Sequence, residues 1–162
     1  MTALATTREA DRQDGVLIPH PVLAAEKIYK GSTVLLKATA KSAFSNDGVT
    51  NTLALDYFAG IAASTADNSS GLVGAVSVDV FKTGCFLLPF AAGDTISAAS
   101  VGLPVYVNNV TDDGEVTITP DATLSEYNLK IGYITELGTT ADTAWVQIDR
   151  QIGAVAVQNP AA

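Results

Sequence analysis

Covalent catalysis needs a nucleophile beside a base, and this sequence holds few residues that could supply the pair. Its single histidine, His20, lies between Pro19 and Pro21, and its single cysteine, Cys85, lies between Gly84 and Phe86. A Cys–His pair would have to be assembled from a proline-flanked arm, a poor place for preorganised geometry. Set in an apolar run, Cys85 is expected to be a small buried hydrophobe. Asp56 and Asp79 are both flanked by apolar residues, so either could be half-buried with a shifted pKa. Asp79 alternates with Val78 and Val80, which turns it towards solvent. Asp112, Asp113 and Glu115 share one turn and could offer oxygens to calcium, but the distal bidentate Glu of a calcium loop is missing. They read as a solvated hairpin tip. A transition-metal site wants several His or Cys ligands, and Gly71-Leu72-Val73-Gly74 lacks the lysine and third glycine of a phosphate loop. The expectation is a non-enzymatic chain, without cofactor or metal, that acts through its surfaces.

Composition narrows the class of partner. The chain has 162 residues, enough for one domain with a sizeable core. With 48% hydrophobic and 16% charged residues it is not a disordered sequence. The formal charge of −8 argues against nucleic acid, whose phosphates require a basic stripe. Residues 1–30 carry four basic and four acidic side chains, so the whole excess lies in residues 31–162, with five basic and thirteen acidic. An acidic body led by a neutral segment follows. One cysteine allows no internal disulfide, so packing alone must stabilise the fold. No run approaches the ~20 apolar residues of a membrane helix, and the N-terminus lacks the pattern of a signal peptide. A soluble protein made in the cytoplasm, with no membrane partner, is expected.

The elements that would position these residues are short strands. Residues 1–28 read as an extended N-terminal arm with an apolar strap, Val16, Leu17, Ile18, Pro19, His20, Pro21, Val22 and Leu23. Two alternating prolines fix φ and remove backbone donors, so the strap cannot be a central strand. It must lie along a surface, either of its own body or of a partner. Strands are expected at Val34–Ala38, Tyr57–Ala63, Gly74–Val80 and Cys85–Leu88, with a turn at Lys82-Thr83-Gly84. The sequence around Asp113-Gly114 predicts a hairpin joining Pro104–Val110 to Val116–Thr119. Leu129–Thr135 and Ala144–Asp149 form a last pair. Short helices are conceivable at Pro21–Lys27 or Thr123–Tyr127. Seven or eight strands with frequent turns indicate an all-β domain over residues 29–150, a small β-barrel or sandwich. Residues 151–162 form a C-terminal tail, either an edge strand or a disordered end.

The order of these pieces resembles the small capsid decoration, or cement, proteins of tailed bacteriophages. Phe58-Ala59-Gly60-Ile61-Ala62 leads through Asp67-Asn68-Ser69-Ser70-Gly71 to Val76–Val80 and Thr83-Gly84-Cys85-Phe86-Leu87. Ala92-Gly93-Asp94, Pro104-Val105-Tyr106, Ile131-Gly132-Tyr133-Ile134 and Trp145-Val146-Gln147-Ile148 follow in the same order. The resemblance implies a β-tulip-like body, commonly a homotrimer, seated on the outside of the expanded head. Its partner would be the major capsid protein, whose subunits it holds together, and its location the virion exterior. The strap from Val16 to Val22 would add an extended clamp, with His20 a pH-sensitive contact if buried on binding. This chain departs from the family in its longer N-terminal arm and its C-terminal extension. Rival readings are another phage structural protein, of the tail, fibre base or head–tail joint, and a surface-displayed carbohydrate-binding module. The module would need a platform of exposed aromatics, for which Trp145 alone is thin support.

Overall fold

A computed structural model describes residues 17–45, 56–108, 115–119, 129–140 and 142–149. Two five-stranded antiparallel sheets and one two-stranded ribbon account for the twelve strands among them. The first sheet has the order β1 (Leu17–Pro21), β7 (Ser77–Phe81), β5 (Tyr57–Ala62), β3 (Thr33–Leu36) and β4 (Ala43–Ser45). The second runs β10 (Val116–Thr117), β9 (Pro104–Val107), β11 (Lys130–Leu137), β12 (Thr143–Asp149) and β8 (Thr83–Pro89). The ribbon pairs β2 (Glu26–Ile28) with β6 (Ala66–Asn68). A single 3-10 turn, Ala98–Ser100, is the helical element among the described residues.

Both large sheets curl until their edges meet. Val22, just past β1, forms a parallel bridge to Ala43 in β4, and Phe90, just past β8, bridges Val116 in β10. Curling of this kind follows from strand twist and shelters backbone groups that a flat sheet would leave open. Gly60 sits where the curl is tight. Its φ is +144°, and a Cβ there would lie 1.9 Å from the carbonyl oxygen of Phe81. A residue with a side chain cannot occupy that point without displacing the β5–β7 backbone.

Two apolar clusters hold the layers together. Val22, Ile28, Val34, Leu36, Val78 and Val80 pack between the first sheet and the ribbon. Leu35, Phe44, Phe58 and Ile61 project from the opposite face of the first sheet onto Leu88, Phe90, Ile131, Ile134, Val146 and Ile148 of the second. Strand β3 is therefore buried on both faces, which is why Thr33-Val34-Leu35-Leu36 shows no polar alternation. Strand β7 keeps one face in solvent and alternates accordingly, with Val78 and Val80 buried and Asp79 exposed. Each large side chain wholly removed from water contributes ~1.5–3 kcal/mol towards the conformational entropy of folding.

The all-β class and the two hairpin pairings agree with the sequence reading. Several boundaries differ. Within the segment read as an arm, β1 and β2 are built into the sheets of the body. Pro21–Lys27 holds no helix. There the backbone N–H groups of Val22 and Leu23 donate to Val76 and Ala43, and Ala25 turns the chain at φ +60°. Lys82-Thr83-Gly84 is not a turn: Lys82 alone passes the chain from β7 in one sheet to β8 in the other. Strands outnumber the expected seven or eight, since pieces as short as β2, β4, β6 and β10 carry no periodic signal. Thr123–Tyr127, Asp112, Asp113, Met1–Val16 and the 151–162 tail lie outside the described residues.

Candidate partner-binding surfaces

The proline strap lies on its own body. Strand β1 pairs antiparallel with β7, with Pro19 opposite Asp79 and Pro21 opposite Ser77. His20 and Val22 turn inward and are buried, Ile18 is half-buried, and Leu17, Pro19 and Pro21 face outward. His20 is therefore already shielded in the isolated chain, and outward contacts from the strap reduce to Leu17, Pro19 and Pro21. Val16 lies outside the described residues.

Asn68 fastens the strap. Its buried Nδ2 donates to the carbonyls of Val22 at 3.3 Å, Leu23 at 2.8 Å and Leu72 at 2.9 Å. The Gly74 N–H donates to the Val22 carbonyl at 2.9 Å, so the 69–74 loop and the strap form one unit. At the tip of that loop, Leu72 is 83% exposed and Val73 is 52% exposed. Sequence reasoning tested this Gly-Leu-Val-Gly stretch only as a phosphate loop and missed its apolar tip. Two large apolar residues between glycines were the available signal.

The outward face of the second sheet is a further open surface. In β8, β12 and β11 the residues facing away from the core include Cys85, Leu87, Trp145, Gln147, Tyr133 and Thr135. Leu87 pairs with Trp145, Cys85 with Gln147, and Gln147 with Tyr133, which places these side chains in two adjacent cross-strand rows. Leu87 is 43%, Tyr133 46% and Trp145 38% exposed. A register shift between Ile134 and Glu136 sets Thr135 out of the ladder, where its hydroxyl donates to the Trp145 carbonyl at 3.1 Å. The Lys130 ammonium stands over the Tyr133 ring, 3.7 Å from its centroid, and donates to its hydroxyl. Among the described side chains, charge reaches this face at Glu136, cross-strand from Trp145, and at Lys130, over Tyr133.

Cys85 corrects the sequence expectation. It is exposed, not buried, with Sγ 3.3 Å from the Thr135 hydroxyl. The register of β8 decides this: Leu88 faces the core, so Cys85 and Leu87 take the other side. Nothing brings His20 to Cys85, since the two lie in different sheets.

The carboxylates serve local structure. Asp56 is buried and accepts from Lys37 Nζ at 3.2 Å and from the Ala38 N–H at 2.9 Å. Glu26 is buried and accepts from the Ser45 N–H and hydroxyl at 2.9 and 2.8 Å, tying the ribbon to β4. Asp94, in the Ala92-Gly93-Asp94 loop, accepts from the Ile118 N–H and the Thr119 hydroxyl, both at 3.0 Å. On the exposed ribbon the Ser69 hydroxyl and N–H, then the Lys27 ammonium, hold the Asp67 carboxyl down at about 2. Among the described residues no group of three His, Cys, Asp or Glu is placed to hold a metal ion, and no helix is long and apolar enough to cross a membrane.

Compared with protein-family models and with curated proteins, the chain matches none.

Proposed function

We propose that this chain is a capsid decoration protein of a tailed phage. On this reading the outward face of its second sheet rests on the head and its first sheet serves as the internal frame. The observation that carries the reading is that face: Leu87, Tyr133 and Trp145 exposed together on one sheet of an acidic chain, with Glu136 and Lys130 beside the two aromatics. Exposed aromatics set among polar side chains are enriched at protein contacts. The order of the motifs from Phe58 to Ile148 suggests the family; those at Thr83–Leu87, Pro104–Tyr106, Ile131–Ile134 and Trp145–Ile148 fall on the second sheet, and the others on the first sheet, the ribbon and a loop. The apolar tip at Leu72 and Val73, beside the outward Pro21, would give a second point of contact. Several weak contacts on one particle reinforce one another through effective concentration, and binding to the assembled shell alone stabilises it by mass action.

The test is to mix purified full-length protein with emptied, expanded heads of the parent phage and sediment them. Co-sedimentation at a fixed ratio to capsid subunits supports decoration; failure to pellet at saturating protein contradicts it. A glycan-binding module is the second reading, favoured by Tyr133 and Trp145 standing on one face beside Gln147 and Thr135. Retention on an oligosaccharide column, with no pelleting on heads, would decide for it. Deleting residues 1–24 is unsuited to either test, because it removes β1 and Val22 from the body.

A further inference from the structure

We infer that the outer edge of β8 is an interface between two copies of this chain, paired antiparallel through Thr83, Cys85 and Leu87. Two sheets have four edges, and most of their length is closed. Strands β1 and β4 meet at the Val22–Ala43 bridge, where the Leu23 N–H donates to Ala43 at 2.9 Å. Strands β8 and β10 meet at the Phe90–Val116 bridge, where the Ala91 N–H donates to Val116 at 2.9 Å. Among the described residues two stretches remain, β1 before Val22 and β8 before Phe90.

These stretches are opposites. The Val22 N–H donates inward to Val76, so with the two-residue period of a strand the nitrogens of residues 17, 19 and 21 point away from the sheet. Two of the three belong to proline and cannot donate, which blunts that edge. On β8 the Phe90 N–H donates inward to Asp142 at 2.8 Å, so the backbone groups of Thr83, Cys85 and Leu87 point outward. Among the described residues none of the three has a backbone partner on that side. The ladder with β12 is unbroken from Thr83 to Pro89, and the stretch holds no charged residue and no proline before Pro89. An extended, uncharged edge with regular donors and acceptors fits one kind of partner, another strand.

The edge is its own complement. With Cys85 opposite Cys85 of the second copy, Thr83 lies opposite Leu87, and every outward donor on each copy meets an outward carbonyl of the other. Sliding by one pair in one direction sets Thr83 against Pro89 and loses a donor. Sliding the other way sets Leu87 against Phe81, which belongs to β7 in the first sheet. One two-fold register is therefore singled out. The seam is neutral in a chain of net charge −8, so two acidic copies meet where neither carries charge. This pairing differs from the threefold arrangement implied by the family resemblance, and it borders the open face, with which it shares Cys85 and Leu87.

The test uses the full-length chain in solution without capsids. In the inferred register the two Cys85 Cα atoms lie about 5.5 Å apart, within the span of a disulfide. Copper–phenanthroline with dioxygen, taking two electrons and two protons from the two thiols, should give a disulfide-linked dimer that Cys85→Ser abolishes. Light scattering on a size-exclusion column should give the mass of two chains. Leu87→Lys, at an exposed position, should raise the dimer dissociation constant at least tenfold with the circular dichroism unchanged. Leu87→Pro, removing an outward donor, should do the same. A monomer at about 100 µM that forms no cross-link overturns the inference. So does an oligomer of any size whose mass is unchanged by both Leu87 variants.

Discussion

The two five-stranded sheets share strand number and antiparallel pairing, yet they treat water differently. The first is covered on both sides along β3, β4 and β5, by the ribbon on one face and by the second sheet on the other. The second is covered on one side only, and its free side carries Leu87, Tyr133, Trp145 and Cys85. A doubly buried sheet can change little without loss of stability, whereas an open face is free to be chosen for contact. The same contrast holds at the edges, where β1 carries prolines at outward positions and β8 keeps its donors. On the proposed reading, structure and recognition are divided between the sheets.

The sharpest way to break this comparison is to truncate one aromatic in each setting. Phe58, in the contact between the sheets, is 2% exposed. Phe58→Ala should cost about 3–5 kcal/mol of unfolding free energy, by lost burial and the cavity left behind. Trp145→Ala, at a residue 38% exposed, should cost less, about 1–2 kcal/mol. Urea denaturation of both variants measures the difference, and equal losses would show that the second sheet is not open. Asn68→Ala comes next. It leaves the carbonyls of Val22, Leu23 and Leu72 without the amide that now joins them, and should cost about 1–3 kcal/mol. Hydrogen exchange should then quicken in β1 and the 69–74 loop while β11 and β12 stay protected.

The smallest effect lies on the exposed ribbon. Asp67 has a folded pKa of about 2 against an ordinary 3.8, so the folded protein takes up this proton less readily than the unfolded chain. Its contribution is complete above about pH 4 and fades as the pH falls towards 2. A small gap in urea midpoint between the native chain and Asp67→Asn at pH 6 should close by pH 2. A gap that widens on acidification would show that Asp67 is held by something other than Ser69 and Lys27.

Much of the fold was legible where alternation survives. Val78 and Val80 on one side of β7, with Asp79 on the other, identify a half-exposed strand, and Asp113-Gly114 identifies the β9–β10 hairpin. Legibility failed where both faces of a strand are apolar. Cys85-Phe86-Leu87-Leu88 gives no sign of which side meets water, so Cys85 was expected inside when register with β12 puts it outside. The strap failed differently. Pro19 and Pro21 specify an extended, edge-seeking segment, but the surface it lies on depends on Asn68, Val76 and Ala43, all distant in sequence. The exposed aromatics were hidden for the same reason: Trp145 was noted alone, and only cross-strand pairing brings Leu87 and Tyr133 to its side.

The central claim is that the open face of the second sheet is the surface that holds the capsid. Its most direct test is sedimentation of a Tyr133→Ala/Trp145→Ala double variant with emptied, expanded heads, beside the native chain and a Leu17→Ser/Pro19→Ser variant. The double variant should stay folded by circular dichroism and lose at least tenfold in affinity for heads, while the strap variant binds within a factor of about two. A double variant that saturates heads as the native chain does, while the strap variant fails to pellet, would contradict the account and return the contact to the arm.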